Sequence, residues 1–209
     1  MARWAPLKKD TLGVLADEIL HNYGQGRSIV AVDGRHGAGQ AAFADDLAAV
    51  LRPRADKVFR ASMDDFFKPR FDRDRIDDAR GYFEGIYDYS LFRRVLVDPY
   101  RVGGSTGFVL KGFDVDRDQP VFQAKWQSAA DDAILIVDGV FLQRKDLAGL
   151  WNYAVWLATP LVAATDDTTA LRVGADELYL SKVSPSERAA AIFNNQNPEH
   201  PRREFADSC

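Results

Sequence analysis

A glycine-rich turn between two apolar segments is the feature that most constrains this chain. Residues 34–42 read GRHGAGQAA; they follow the β-branched run SIVAVD and precede FADDLAAVL, whose apolar residues recur at helical spacing. The pattern predicts a buried strand, a tight turn and an amphipathic helix in direct succession. Backbone N–H groups and the positive helix end then converge on one point, which suits a phosphate. Two spaced glycines are also common in turns that only pack closely.

Short apolar segments recur along the chain and alternate with helical patterns. This alternation predicts the α/β class: one domain over residues 1–209, with a mostly parallel sheet of about five strands and helices on both faces. We expect an N-terminal helix within residues 1–26, with Asp10 as its cap, and a loose tail over residues 197–209. The expected strands are 28–33, 57–62, 133–138, 152–157 and 190–194.

Composition narrows the function classes. Hydrophobic residues make up 46% of the 209 and the net charge is −4, so the chain has enough apolar residues for a core and lacks the basic field that binds a nucleic acid polymer. The single cysteine, Cys209, and the missing signal-peptide pattern favour the cytoplasm, and no segment suits a membrane span. The three histidines are scattered, which argues against a metal cluster. We expect a small-molecule ligand; homo-oligomerisation stays open.

The side chains of the glycine turn depart from the usual phosphate-loop pattern. In G-x-x-x-x-G-K-[ST], lysine neutralises the outer phosphates and the hydroxyl holds magnesium. Here Gln40 stands at the lysine position and Ala41 at the hydroxyl position. Arg35 and His36 either return a cation to the phosphates or are solvated on an exposed turn. The candidate cofactor-binding segment is Gly34, Arg35, His36, Gly37, Ala38, Gly39, Gln40 and Ala41.

Acidic residues follow two other expected strands. Asp64 and Asp65 come after KVFRAS, and Asp138 ends AILIVD. Parallel strands bring their carboxyl ends to one edge of the sheet, where ligands bind. One acid there can hold magnesium through water, and an acid opposite the loop can act as base for an attacking hydroxyl. The alternative interpretation is that these acids are solvated or cap helices.

Several segments, in the same order from about Trp4 to Arg203, resemble the uridine kinase-like family of P-loop kinases. They include GRHGAGQAAFADDLA, SMDDFFKPR, GYFEGIYDYSLFRRVLVDPY and ILIVDGVFLQRKDLAGLWNYAVWL, and they are most similar to the actinobacterial branch. The resemblance implies a P-loop three-layer sandwich, with ATP and Mg²⁺ as cofactors. It also implies descent from enzymes that move the γ-phosphate of ATP to a hydroxyl of a nucleoside or similar metabolite.

The resemblance also implies roles for individual positions. Asp138 corresponds to the Walker-B acid, which holds the metal through water, and Asp64 to the substrate-side carboxylate; both are the candidate catalytic residues. Arg172 is the one arginine in the interval of the family's arginine-rich lid. Phe67 stands where the nucleoside kinases often have tyrosine. The candidate substrate-binding set, which includes one cation near Asp64 that suits a small anion, is Asp65, Phe67, Arg70, Tyr87 and Asp88.

The departures leave three hypotheses for the function. The first is a degenerate kinase-like protein that retains a nucleotide or small-molecule pocket but has weak or no phosphoryl transfer, as Gln40, Ala41 and the poor lid suggest. The second is an active, atypical ATP-dependent kinase that uses Arg35 or His36 with Asp64 and Asp138. The third is a regulatory or scaffold subunit without catalysis.

Overall fold

The strand before the glycine turn lies at the centre of a six-stranded sheet. The computed structural model describes residues 7–55, 57–160 and 165–204. The strands are β1 Ser28–Gly34, β2 Val58–Ser62, β3 Phe113–Asp114, β4 Gln119–Pro120, β5 Ile134–Gly139, β6 Tyr153–Ala158, β7 Ala191–Asn194 and β8 Arg202–Glu204. Their order in the six-stranded sheet is β2-β5-β1-β6-β7-β8. All seven residues of β1, the strand before the turn, are buried, which explains its continuous apolar run.

Helices cover both faces of this sheet. The helices are α1 Lys8–Tyr23, α2 Gln40–Leu51, α3 Arg70–Arg73, α4 Ala79–Gly85, α5 Tyr89–Phe92, α6 Asp98–Val102, α7 Asp167–Val183 and α8 Pro185–Arg188. A π-helical turn, Arg93–Val97, joins α5 to α6, and 3₁₀ turns cover Met63–Phe66 and Lys145–Leu147. Among the helices of the described residues, none has the length and apolarity needed to cross a bilayer.

Alternating side chains of the central strands feed two separate cores. Ile29 and Leu135 pack with Phe92 and Tyr179 on the face covered by α4 to α7. Val30 and Ile136 pack on the opposite face with α1 and α2. This gives the expected three layers, with the sheet in the middle.

The register of the parallel strands positions the expected site. Val32 of β1 pairs with Asp138 of β5, and Ser62 at the end of β2 pairs with the same aspartate. The turn that follows β1 and the acids that follow β2 and β5 therefore meet at the carboxyl edge of the sheet, as expected for an open α/β fold.

Several local expectations need correction. The sheet has six strands, because Arg202–Glu204 of the expected loose tail pairs antiparallel with β7; residues 205–209 lie outside the described residues, Cys209 among them. Helix α1 begins at Lys8 without a side-chain cap, so Asp10 lies in its first turn; residues 1–6 also lie outside the description.

Candidate functional site: a glycine loop facing two acids

The glycine turn has the backbone geometry of a phosphate loop. Gly37 and Gly39 have φ of 78° and 83°, a region that favours glycine. Gly39 is the left-handed N-cap of α2, and no side chain caps that helix. The first-turn N–H groups of a helix have no partner within it, so here they are available to an anion. The Asn195 side chain holds the loop from behind by donating to the Ala38 carbonyl at 2.7 Å.

The side chain of Gln40 turns back onto its own loop. Its Nε2 donates to the Arg35 carbonyl at 2.8 Å, and the residue is buried. A neutral amide therefore lies at the position where a phosphate loop places its lysine ammonium. Ala41 is exposed and has no hydroxyl. The loop thus retains its backbone donors without either charged function.

Arg35 and His36 take different directions. Arg35 Nη1 donates to the Thr159 carbonyl at 3.0 Å, at the rear of the loop. His36 is fixed by Asp176 of α7, which accepts from its backbone N–H at 3.0 Å and lies 2.8 Å from its Nδ1. The other ring nitrogen of His36 is 3.4 Å from the Tyr82 hydroxyl. Of the two, His36 is the one that faces the acids.

Asp138 is buried and paired with a cation. Its carboxylate accepts from Arg60 Nη2 at 2.7 Å and from the Ser62 hydroxyl at 3.1 Å. Burial raises the pKa of the Asp138 carboxyl above its ordinary value, and the Arg60 guanidinium acts in the opposite direction. Arg60 lies on β2, which pairs with β5, so the Arg60 side chain can reach the carboxyl end of β5.

Asp64 is exposed and belongs to an aromatic cluster. The Tyr87 hydroxyl donates to Asp64 Oδ1 at 2.9 Å, and the ring of Phe67 stacks on Tyr87 with 4.6 Å between centroids. Burial raises the pKa of Tyr87 well above its ordinary value, and the nearby Asp64 adds to the effect. Tyr87 therefore stays protonated and serves Asp64 as a donor.

These groups line one cleft of about 200 Å³. A second cleft of about 190 Å³ shares His36, Gly37 and Arg172 with it and extends along α7. Two larger clefts, of about 370 and 560 Å³, lie beside α1 and contain neither the loop nor these acids. The lining of the first cleft is His36, Gly37, Gln40, Ala41, Asp64, Phe67, Tyr82, Tyr87, Asp138, Gly139, Val140 and Arg172.

Three residues of the expected substrate set do not line this cleft. Asp65 pairs with Lys111 at 3.1 Å on the other side of the turn that carries Asp64. Arg70 is exposed, and its backbone N–H bonds to Asp118. Asp88 caps α5 by accepting from the Leu91 N–H at 2.8 Å. The reason is local: consecutive residues of a turn point in different directions, and an aspartate before a helix is a preferred cap.

A buried aspartate supports the loop from below. Asp33 accepts from the Gly34 N–H at 2.9 Å, from Gln143 Nε2 at 3.2 Å and from the Tyr179 hydroxyl, with a longer contact to the Leu142 N–H at 3.4 Å. It thereby ties β1 to the segment after β5 and to α7. Burial raises the pKa of Asp33 to about 7, against the effect of these donors.

Sequence reasoning missed Arg60 and Asp176. An arginine in KVFRAS is ordinary for an edge strand, and Asp176 is one polar residue among many in a helix. Their roles depend on partners that lie 78 and 140 residues away. The only available signal for Arg60 was its place two residues before the strand end, in the strand that precedes Asp64 and Asp65.

Two solved structures that are described as kinases have the same fold. A possible uridine kinase from Bacillus stearothermophilus is 23% identical, with a TM-score of 0.75 over 89% of this chain and 98% of that one. A presumed fructose transport system kinase from Silicibacter sp. TM1040 is 18% identical, with a TM-score of 0.56 over 90% and 91%. No protein-family model and no curated protein matches the chain. The structure therefore has the P-loop kinase fold of the uridine kinase-like proteins.

Kinases with a P-loop use ATP and Mg²⁺, and the residues of this site fit the two differently. The uncapped helix and the left-handed glycines fit a phosphate group. The metal fits poorly: Ala41 has no ligand atom in its side chain, and Asp138 is already paired with Arg60. Within residues 7–55, 57–160 and 165–204, no three His, Cys, Asp or Glu side chains gather as a metal-binding group.

Proposed function

We propose that this protein is a P-loop protein of small-molecule kinase descent that binds the phosphates of a nucleotide at residues 34–41 and transfers phosphoryl groups weakly or not at all. The observation that carries the proposal is the Gln40 side chain, which bonds to the Arg35 carbonyl inside the loop. Backbone donors remain for binding, while the lysine charge that acts on the transferring phosphate is absent.

The size of the expected losses in rate favours weak phosphoryl transfer over efficient phosphoryl transfer. Removing one electrostatic donor to a developing charge typically costs about 10²–10³ in rate. This chain lacks the loop lysine and the metal hydroxyl. Within its described part, the lid interval contributes Arg172 to the cleft; residues 161–164 of that interval lie outside the described residues. Such losses need not add, but each acts on the same transition state.

One arrangement favours a second candidate, an active but atypical ATP-dependent kinase. Asp64 is exposed, oriented by Tyr87 and placed in the same cleft as the glycine loop. An acid so placed can accept a proton from a substrate hydroxyl. His36 and Arg172 line both clefts, and the Arg172 guanidinium can supply positive charge there. Under this candidate the acceptor is a nucleoside or similar hydroxylated metabolite.

Titration calorimetry with ATP and an assay of ADP formation over a panel of hydroxyl compounds separate the candidates. We expect ATP binding with little or no turnover. Robust turnover with any acceptor would establish the second candidate, and an absence of binding would leave the non-catalytic scaffold of the third hypothesis.

A matched pair of variants locates the binding. Gly37 has a positive φ and free space around the position of an added Cβ, and Asn and Asp both tolerate this backbone conformation. Gly37→Asp places a negative charge in the loop and should abolish ATP binding, whereas the isosteric Gly37→Asn should retain it. Equal affinities for the two variants would place ATP elsewhere.

A further inference from the structure

The guanidinium of Arg60 lies beside Asp138, at a position that affects whether a metal ion can bind. Arg60 Nη2 lies 2.7 Å from Asp138 Oδ1 and 3.4 Å from the Ala41 carbonyl oxygen. In P-loop enzymes, the metal ion is held between the hydroxyl residue of the loop and the Walker-B acid. Residues 41 and 138 stand at those two positions here. The guanidinium therefore bridges the two elements that a metal ion otherwise connects.

The Arg60 side chain is fully engaged by the protein. Nε donates to Asp45 at 2.9 Å, and Nη1 donates to the carbonyls of Ala61 and Ile136 at 3.1 and 3.2 Å. With the two contacts of Nη2, each of its five N–H groups has an acceptor. The side chain is held in one place and has no donor left for a phosphate. It acts on Asp138 through its charge.

The paired carboxylate is not available as a metal ligand. The Asp138 side chain is 5% exposed and that of Arg60 is 16% exposed. Removing one partner of a buried ion pair is strongly destabilising, because the other charge stays buried and uncompensated. A Mg²⁺ ion at this point would have to displace the guanidinium, and Ala41 offers no side-chain oxygen in return.

We propose that Arg60 takes the place of Mg²⁺ as the charge partner of Asp138, so that the loop binds the free anion of a nucleotide or other phosphate ester without a metal ion. This inference rests on the proposed function and specifies its cofactor requirement. The metal that the fold implies is replaced by a cation of the chain itself. The ligand class is then the metal-free polyphosphate, in contrast to the Mg²⁺ complex that P-loop kinases use.

Calorimetric titration of the full chain with ATP, in excess EDTA and in excess MgCl₂, tests this inference. We expect binding in EDTA at least as tight as binding in MgCl₂. Binding that requires Mg²⁺ would overturn the inference and leave the proposed function intact. No binding in either buffer would overturn the proposed function and the inference with it.

A pair of variants tests the role of Arg60 itself. Arg60→Gln with Ala41→Ser frees the carboxylate and adds the hydroxyl, and ATP affinity should then fall about tenfold or more on adding EDTA. Arg52→Gln is the charge-matched control, because Arg52 is exposed at the far end of α2; it should behave like wild type. A double variant whose ATP affinity stays independent of magnesium would contradict the role of Arg60.

Mn²⁺ binding, followed by electron paramagnetic resonance without nucleotide, gives a readout that does not depend on ATP. We expect no bound Mn²⁺ in the wild type and a bound ion in the double variant. Where the double variant does not fold, Arg60→Lys replaces it: this variant keeps the charge and should retain ATP binding in EDTA. Mn²⁺ bound to the wild type at Asp138, or loss of EDTA-resistant binding in Arg60→Lys, would overturn the inference.

Discussion

The two walls of the cleft differ in which of their groups remain suited to phosphoryl transfer. On the loop wall, the backbone is intact, with left-handed glycines and an uncapped helix, while the side chains at positions 40 and 41 are neutral. On the opposite wall, Asp64 has a tyrosine donor and a stacked aromatic neighbour. A backbone cradle survives substitution of its side chains because its shape depends on glycine and on the helix. In contrast, the substitution of a single residue removes a charged function.

Substitution of Asp33, which supports the loop from below, should have the largest effect on the stability of the protein. Asp33→Ala leaves buried donors of Gly34, Gln143 and Tyr179 without an acceptor, which should lower the free energy of unfolding by about 3 kcal/mol. Urea denaturation measures this. Asp17→Ala is the control: it removes an exposed partner of Arg54 and should cost less than about 1 kcal/mol. Equal losses would mean that Asp33 does not support the loop.

Restoring the lost side chains should bring the loop wall back toward kinase chemistry. Gln40→Lys with Ala41→Ser supplies an ammonium and a hydroxyl, and a hydrogen bond to a charged group is worth about 1.5–3 kcal/mol. ATP affinity, measured by calorimetry, should therefore rise about tenfold or more. Gln25→Lys makes the same charge change at an exposed residue before β1 and should have no effect. An unchanged affinity in the restored variant would show that the loop does not contact the phosphates.

The buried Asp33 should also make stability depend on pH. Its pKa is raised to about 7, above the roughly 3.9 of an unfolded chain. Between these values the folded protein binds more protons than the unfolded chain, so the free energy of unfolding falls as pH rises, by at most about 1.4 kcal/mol per unit.

Urea denaturation of wild type and Asp33→Asn, from about pH 5 to about pH 8, isolates this contribution. The amide that replaces the carboxyl in this variant does not titrate in that range, so the wild type should lose stability relative to the variant as the pH rises. A constant difference between the two curves would show that Asp33 stays ionised throughout.

The smallest expected effect concerns the opposite wall of the cleft, which carries Asp64. Tyr87→Phe removes the donor to Asp64 and should lower the free energy of unfolding by about 1 kcal/mol. Tyr23→Phe, on a half-buried tyrosine beside Tyr153, is the control and should change it little. Thermal denaturation of the two variants checks this; equal shifts would mean that the bond to Asp64 contributes nothing to folding.

How far the sequence predicts the structure depends on how local each signal is. Strands β1 and β5 are continuous apolar runs that lead into an Asp-Gly pair, so both the sheet and the edge with Asp138 were predictable. Strand β8 reads RRE and pairs at the sheet edge, so no apolar pattern marks it. Helix α7 begins with a Thr-rich turn capped by Asp166, and threonine is a weak helix former.

The residues of the candidate site likewise divide into those that the local sequence predicts and those that depend on distant partners. The loop residues and Asp64 follow from their positions after strands, and the structure brings four of the loop residues into one cleft with Asp64: His36, Gly37, Gln40 and Ala41. The orientation of Asp65 and Arg70 depends on side-chain directions within a turn, which one sequence does not give. Arg60 is the clearest case: its partner depends on β2 pairing with β5, and Asp138 lies 78 residues further along the chain.

The backbone amides of the loop report directly on whether residues 34–41 bind the phosphates of a nucleotide. Nuclear magnetic resonance of ¹⁵N-labelled protein, titrated with ATP and with inorganic triphosphate, reports on each N–H group separately. We expect both ligands to shift the amide signals of Gly37, Gly39, Gln40 and Ala41 more than those of α1, with no ADP formed during the titration with ATP. Unchanged signals in the loop, or shifts confined to other segments, would contradict it.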